Sequence, residues 1–134
     1  MVFEDGTELK NILGRFCEDI SSNTGDDECD LAVIAPGFTG ECRGRCRALL
    51  VPGDMEKWDI EADMVISYGL SSKDTITLSS IDGDDCVVAV QRGFDTLKGD
   101  AVEPQEFPVH RHGLAPEKTA AVTGAAILLE TELP

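Results

Sequence analysis

Apolar residues recur along this chain with three different periods. At the start, Leu9, Ile12, Leu13, Phe16 and Ile20 recur at helical spacing and predict one amphipathic helix. Asp5 followed three residues later by Glu8 has the form of a capping box for it. The polar stretch "SSNTGDDE" predicts its end. Three short apolar runs follow, "CDLAVIAPG" (29–37), "RALLVPGD" (47–54) and "ADMVISYG" (62–69). Unbroken apolar runs closed by Gly are expected of strands buried on both faces. They predict a small parallel sheet with its carboxyl ends open into loops. The intervening "MEKWDIE" has the composition of a short helix. After Tyr68-Gly69 the period changes to strict alternation, with a hairpin signal "DGDD" at 82–85 and a second turn "KGD" at 98–100. This predicts an antiparallel meander whose last strand, carrying Pro104 and Pro108, sits at an edge or follows a broken course. The final stretch "APEKTAAVTGAAILLE" predicts a helix with Pro116 in its first turn and small residues for close packing.

The expected fold is therefore α/β: a small Rossmann-like three-stranded parallel sheet with flanking helices, plus an antiparallel β-meander. One domain of 134 residues is expected. It divides into helix and parallel strands (1–69), meander (70–109) and C-terminal packing helix (114–130).

Charge adds a second pattern. The chain carries 26 acids against 11 Lys and Arg, a net charge of -15. That balance disfavours nucleic acid and anionic membrane as partners, since phosphates need cations. The basic residues are uneven: Arg43, Arg45 and Arg47 form an island around a single acid, Glu41, within residues 31–53. The island continues a loop, "PGFTGECRGRCR", with Gly37, Gly40 and Gly44. Free backbone N–H groups beside guanidinium forks are the makings of an anion site. The loop lacks the Lys-Ser/Thr of a phosphate-binding loop. With Asp54 and Tyr68-Gly69 at the other strand ends, and His112 before the last helix, these residues are the candidate ligand contacts.

Five cysteines, an odd number with no scaffold spacing, point to free thiols. The alternation from Cys42 to Val51 predicts a strand, on which Cys42 and Cys46 lie about 13 Å apart, too far for one zinc ion. Cys17 and Cys86 are expected in the core. No metal site, cofactor or catalytic constellation is read from the chain. No leader-like or membrane-spanning stretch is visible, so the expected compartment is the cytoplasm.

The order of the pieces "MVISYGL", "DTITLSSIDGDDCVVAVQR", "FPVHRHGL" and "KTAAVTGAAILLE" resembles the later part of the Mur ligase central domain, over about residues 47–130. There a strand leads to Tyr-Gly, then a small antiparallel sheet, a His-containing turn and an Ala-rich helix. The resemblance implies a shared fold fragment, or a stand-alone relative in cell-wall or nucleotide-sugar metabolism. Gly113 stands where the family has a nucleotide-contacting Asn after the His, and the ATP phosphate loop is lacking, so ligase activity is not implied.

Three functions stay open on the sequence: a non-catalytic module binding a small anion or a protein partner, an accessory protein related to Mur ligases, and an enzyme built around Asp54, Tyr68, His110 and His112. A monomer is expected, or a homodimer through the apolar C-terminal helix.

Overall fold

The computed structural model describes residues 1–15, 28–131 and 133, without the side chain of Glu28. Nine strands and two helices follow one another among these residues: β1 (Val2–Phe3), α1 (Glu8–Leu13), β2 (Glu28–Ile34), β3 (Arg43–Pro52), β4 (Asp59–Gly69), β5 (Ile76–Asp82), β6 (Asp85–Val90), β7 (Phe94–Asp95), β8 (Ala101–Val102), β9 (Gln105–His110) and α2 (Pro116–Leu129). Seven strands make one mixed sheet in the order β1-β2-β3-β4-β5-β6-β9. The first five run parallel, and β5, β6 and β9 pair antiparallel. β7 and β8 form a separate small ribbon.

The expectation of a three-stranded parallel sheet beside a distinct meander is thereby corrected. The meander is the same sheet continued, because Tyr68 and Gly69 at the end of β4 pair with Ile76 and Thr77 at the start of β5. β1 adds a parallel strand of two residues, too short for any periodicity to mark. The described residues are mostly sheet, and the connections from β2 to β3, from β3 to β4 and from β4 to β5 contain no helix; α1 lies in the connection between the parallel neighbours β1 and β2. "MEKWDIE" forms no helix; a turn closed by the Met55 N–H on the Pro52 carbonyl leads directly into β4 at Asp59. The first helix is six residues long. The Glu4 carboxylate, in place of Asp5, accepts the Leu9 and Lys10 N–H groups at 2.9 Å each. The expectations for Phe16, Cys17, Ile20 and "SSNTGDD" fall on residues outside those described.

Connection length shapes the sheet. Only residues 53–58 join Pro52 to Asp59, which lies opposite Arg43 at the far end of β3. A straight β3 would be about 30 Å long. The turn at Pro52–Met55 covers under about 7 Å, and the stretch from Met55 to Asp59 about 14 Å more at full extension. The strands must therefore bend. Arg47 drops out of both ladders together with the opposed Asp30 and Asp63, which places the irregularity. The hydrogen-bond phase changes too. Both the Asp59 N–H, donating to Cys42, and the Tyr68 carbonyl, accepting from Gly53, face β3, although their numbers differ in parity. In an unbroken strand, residues of opposite parity serve opposite neighbours.

Beyond the bend the strands are apolar, and α2 packs on them. Ala48, Leu49, Leu50, Ile66, Tyr68 and Ile76 are buried, as is nearly all of α2 from Thr119 to Leu128. The predicted close approach is present: a Cβ on Gly124 would meet Ile76 Cδ1 at 2.9 Å and Leu50 Cδ2 at 3.1 Å. Pro116 opens α2, Glu130 closes it at φ 54°, and Lys118 ties it to α1 by a 2.6 Å ion pair with Glu8. No helix among the described residues is long and apolar enough to cross a membrane. Replacing Gly124 by Val adds three carbons, a Cβ and its two methyl groups, where there is no room even for the first. The expected loss is about 1–3 kcal/mol, read as a lower midpoint in thermal or urea denaturation. An unchanged midpoint would show that α2 does not seat on Leu50 and Ile76.

Candidate functional site

The carboxyl ends of β2, β3 and β4 bring three of the anticipated loops together: Pro36-Gly37, Gly53-Asp54 and Tyr68–Ser71. At their centre is a bond that the sequence does not announce. The Val33 and Ala35 N–H groups donate to β1, at Met1 and Phe3, so Ile34 turns its backbone to β3. With Val33 opposite Leu50, the Ile34 carbonyl faces the nitrogen of residue 52, which is Pro and has no hydrogen to give. Tyr68, paired with Pro52 on the next strand, supplies the missing donor: its hydroxyl reaches the Ile34 carbonyl at 2.5 Å. Tyr68 is fully buried, and burial, with Glu117 and Asp54 nearby, pushes its phenol well above the ordinary value. It is a neutral hydrogen-bond donor spanning three strands, closed to any ligand.

Asp74 is the residue that sequence reasoning missed. Its carboxylate is 4% exposed and lies against the backbones of Gly53 and Gly69. A Cβ on Gly53 would fall 1.6 Å from Oδ1, and one on Gly69 2.5 Å from Oδ2. Asp74 accepts the Ser71 N–H at 3.0 Å, and Gln91 Nε2 donates to the Asp74 carbonyl at 2.6 Å. The loop from Gly69 to Ile76 is thus closed by its own acid and stapled to the end of β6. Ser71 three residues before Asp74 was a legible turn signal. The burial was not, since it depends on glycines 21 and 5 positions earlier.

The arginine island does not join this cluster. Gly37 lies at the carboxyl end of β2, and the connection to β3 returns the chain to the other end of the sheet, where Arg43, Arg45 and Arg47 are exposed. There each arginine meets acids across the ladder. Arg43 is opposite Asp59, Arg45 lies between Glu28 and Glu61, and Arg47 sits between Asp30 and Asp63 at the bend. Arg47 Nη1 is 3.6 Å from Asp30, and its Nη2 donates to the Leu97 carbonyl at 2.6 Å. Opposite charges directly across strands attract. The cationic site expected over Gly37, Gly40 and the three arginines is replaced by a mixed-charge ladder. Gly40 packs on the Phe38 ring.

His110 and His112 lie elsewhere again. β5 starts beside Tyr68 and runs away from it to Asp82, and His110 is two strands across from that end. The separation along β5 is about 20 Å, so Tyr68 and His110 share no site. His110 Nδ1 is 2.5 Å from Asp85 Oδ1, and its ring lies 5.9 Å from that of His112. His112 takes φ 52° in a turn pinned to the β5–β6 hairpin. Arg111 holds the Gly83 carbonyl, and Asp84 accepts the Gly113 N–H at 2.9 Å, a bond that keeps its carboxyl below the ordinary range. A shallow groove of about 210 Å³ crosses this arm, lined by Asp85, Cys86, Val87, Pro108, Val109 and His110. Among the described residues no three His, Cys, Asp or Glu side chains are grouped to hold a metal ion.

Two measurements check the strand-end cluster. Tyr68→Phe removes the only donor to the Ile34 carbonyl described here. It should cost about 1–3 kcal/mol in denaturant melts. Gly53→Ala should destabilise far more in the native background than in Asp74→Ala, because the added methyl displaces that carboxylate. Additive losses would separate the two residues.

Comparison with protein-family models, with curated proteins and with solved structures finds no match to this chain.

Proposed function

We propose that this domain is a non-catalytic protein-interaction module that takes a positively charged partner. The observation that carries the reading is the arm made by the outer half of β5, β6 and β9. Residues 79–85 are all exposed and end in Asp82, Asp84 and Asp85, and Ile81 is 49% exposed among them. The groove beside Val87 and Pro108 offers apolar contact next to those acids. Exposed apolar surface beside a cluster of acids is the make-up of a docking surface, here with Asp82, Asp84 and Asp85 outnumbering Arg111 at the same tip. Anion binding loses its support, because the arginines that would have served it are interleaved with acids. The enzyme reading loses its support because Asp54, Tyr68, His110 and His112 do not converge.

A relationship to Mur ligases is a separate proposal. What supports it is the order of Tyr68-Gly69, the antiparallel strands, the His112 turn and α2. In this chain it would carry a scaffold and no nucleotide chemistry.

The test uses a short fluorescent Lys/Arg-rich peptide and anisotropy at low and high salt. Binding should weaken with salt and fall at least about threefold in Asp82→Asn/Asp85→Asn. No binding at millimolar protein, or binding unaffected by that double substitution, would overturn the proposal.

A further inference from the structure

Cys29 and Cys46 stand directly opposite each other on β2 and β3, one residue before the point where both strands bend. Both are free thiols. Directly opposed residues on neighbouring strands have Cα atoms about 4.8 Å apart, inside the range of about 4.4–6.8 Å that a disulfide spans. The two differ in access: Cys46 is 4% exposed, and Cys29 is half-buried. Cys29 Sγ donates to the Leu31 carbonyl at 3.5 Å, and the neighbouring Cys46 draws the Cys29 thiol down to about 6 against its burial. The same pairing, with burial, pushes Cys46 up. The more accessible and more acidic thiol therefore stands directly opposite an enclosed, less acidic one. That is the division of labour between an attacking and a resolving cysteine. Cys42 and Cys86 lack it. Cys42 is buried, donates to the Gly40 carbonyl and is pushed up to about 11 by burial and Asp59, while Cys86 is enclosed and likewise raised by burial.

We infer that Cys29 and Cys46 form a reversible redox site that accepts low-molecular-weight disulfides. The Cys29 thiolate attacks one sulfur of the small disulfide RSSR, and the other leaves as a thiolate that takes up a proton. Cys46 then loses its proton and attacks the Cys29 sulfur of the mixed disulfide, releasing the second thiol. The balance is RSSR plus two protein thiols giving one protein disulfide plus two RSH. Parallel neighbours hold their Cβ atoms close to the strand spacing, about 4.8 Å, against the 3.5–4.5 Å usual in a disulfide. The bridge is therefore strained and readily reduced. It links β2 to β3 beside Arg47, where the ladders are interrupted.

The test is to incubate the reduced full chain with oxidised glutathione, quench it with acid and measure intact mass, denatured thiol count and linked peptides. The thiol count should fall by two from the five of the chain. The mass should fall by two hydrogens, a peptide joining Cys29 to Cys46 should appear, and dithiothreitol should reverse all three. Cys46→Ser should stop at a glutathione adduct on Cys29, and Cys42→Ser should react as the native chain does. A persistent adduct on Cys29 of the native chain, linkage of Cys29 to any other cysteine, or five surviving thiols would each overturn the inference.

Discussion

Six residues between Pro52 and Asp59 are too few to return along a straight strand, and the rest of the molecule follows from that shortage. A helical crossover needs about a dozen residues. With half that number the chain reaches the start of β4 only if β3 and β4 bend. The bend falls at Asp30, Arg47 and Asp63, whose side chains are charged and face solvent. An interruption in the ladder costs least where the backbone is wet and the side chains need no packing.

The bend divides the parallel strands into two regions with different chemistry. Toward the carboxyl ends the strands are apolar, and α2 lies on them through Gly124. The opposite halves carry the acid–arginine ladder. Such exposed pairs contribute little stability individually. They do set register, because a shift of one residue on any of the three strands would move the charges off their partners. They also place the three arginines of residues 31–53 level with acids of the neighbouring strands, Arg47 within 3.6 Å of Asp30.

At the strand ends the structure solves a polar accounting problem twice. Pro52 withholds an N–H from the Ile34 carbonyl, and the Tyr68 hydroxyl provides it. Asp74 enters a space that any side chain at Gly53 or Gly69 would fill, and closes the loop between β4 and β5. An unpaired buried polar group costs about as much as a whole helix cap. These contacts explain why Tyr-Gly ends β4 without inviting chemistry: the ring is a structural donor and the glycine makes room for an acid.

Much of the fold was legible in the residues themselves. Apolar runs marked the cores of β2, β3 and β4, alternation and Asp-Gly marked the β5–β6 hairpin, the prolines placed β9 at an edge, and small residues foretold how closely α2 would pack. These are local properties, decided by period, turn chemistry and side-chain size within a few positions. The candidate site was not legible in the same way. Gly37, Asp54 and Gly69 were found because they end strands, but the three arginines and His112 were grouped with them by proximity in sequence. Only the register shows that Arg43, Arg45 and Arg47 lie among acids, that Asp74 is buried between two glycines, and that Cys29 faces Cys46. Those residues are 5 to 21 positions apart in sequence. The amino-acid sequence determined which segments could be strands and helices, because propensity and hydrophobic period act locally. Partners across the sheet were decided by the tertiary structure, because loop length and the parity of hydrogen bonding select one register among many.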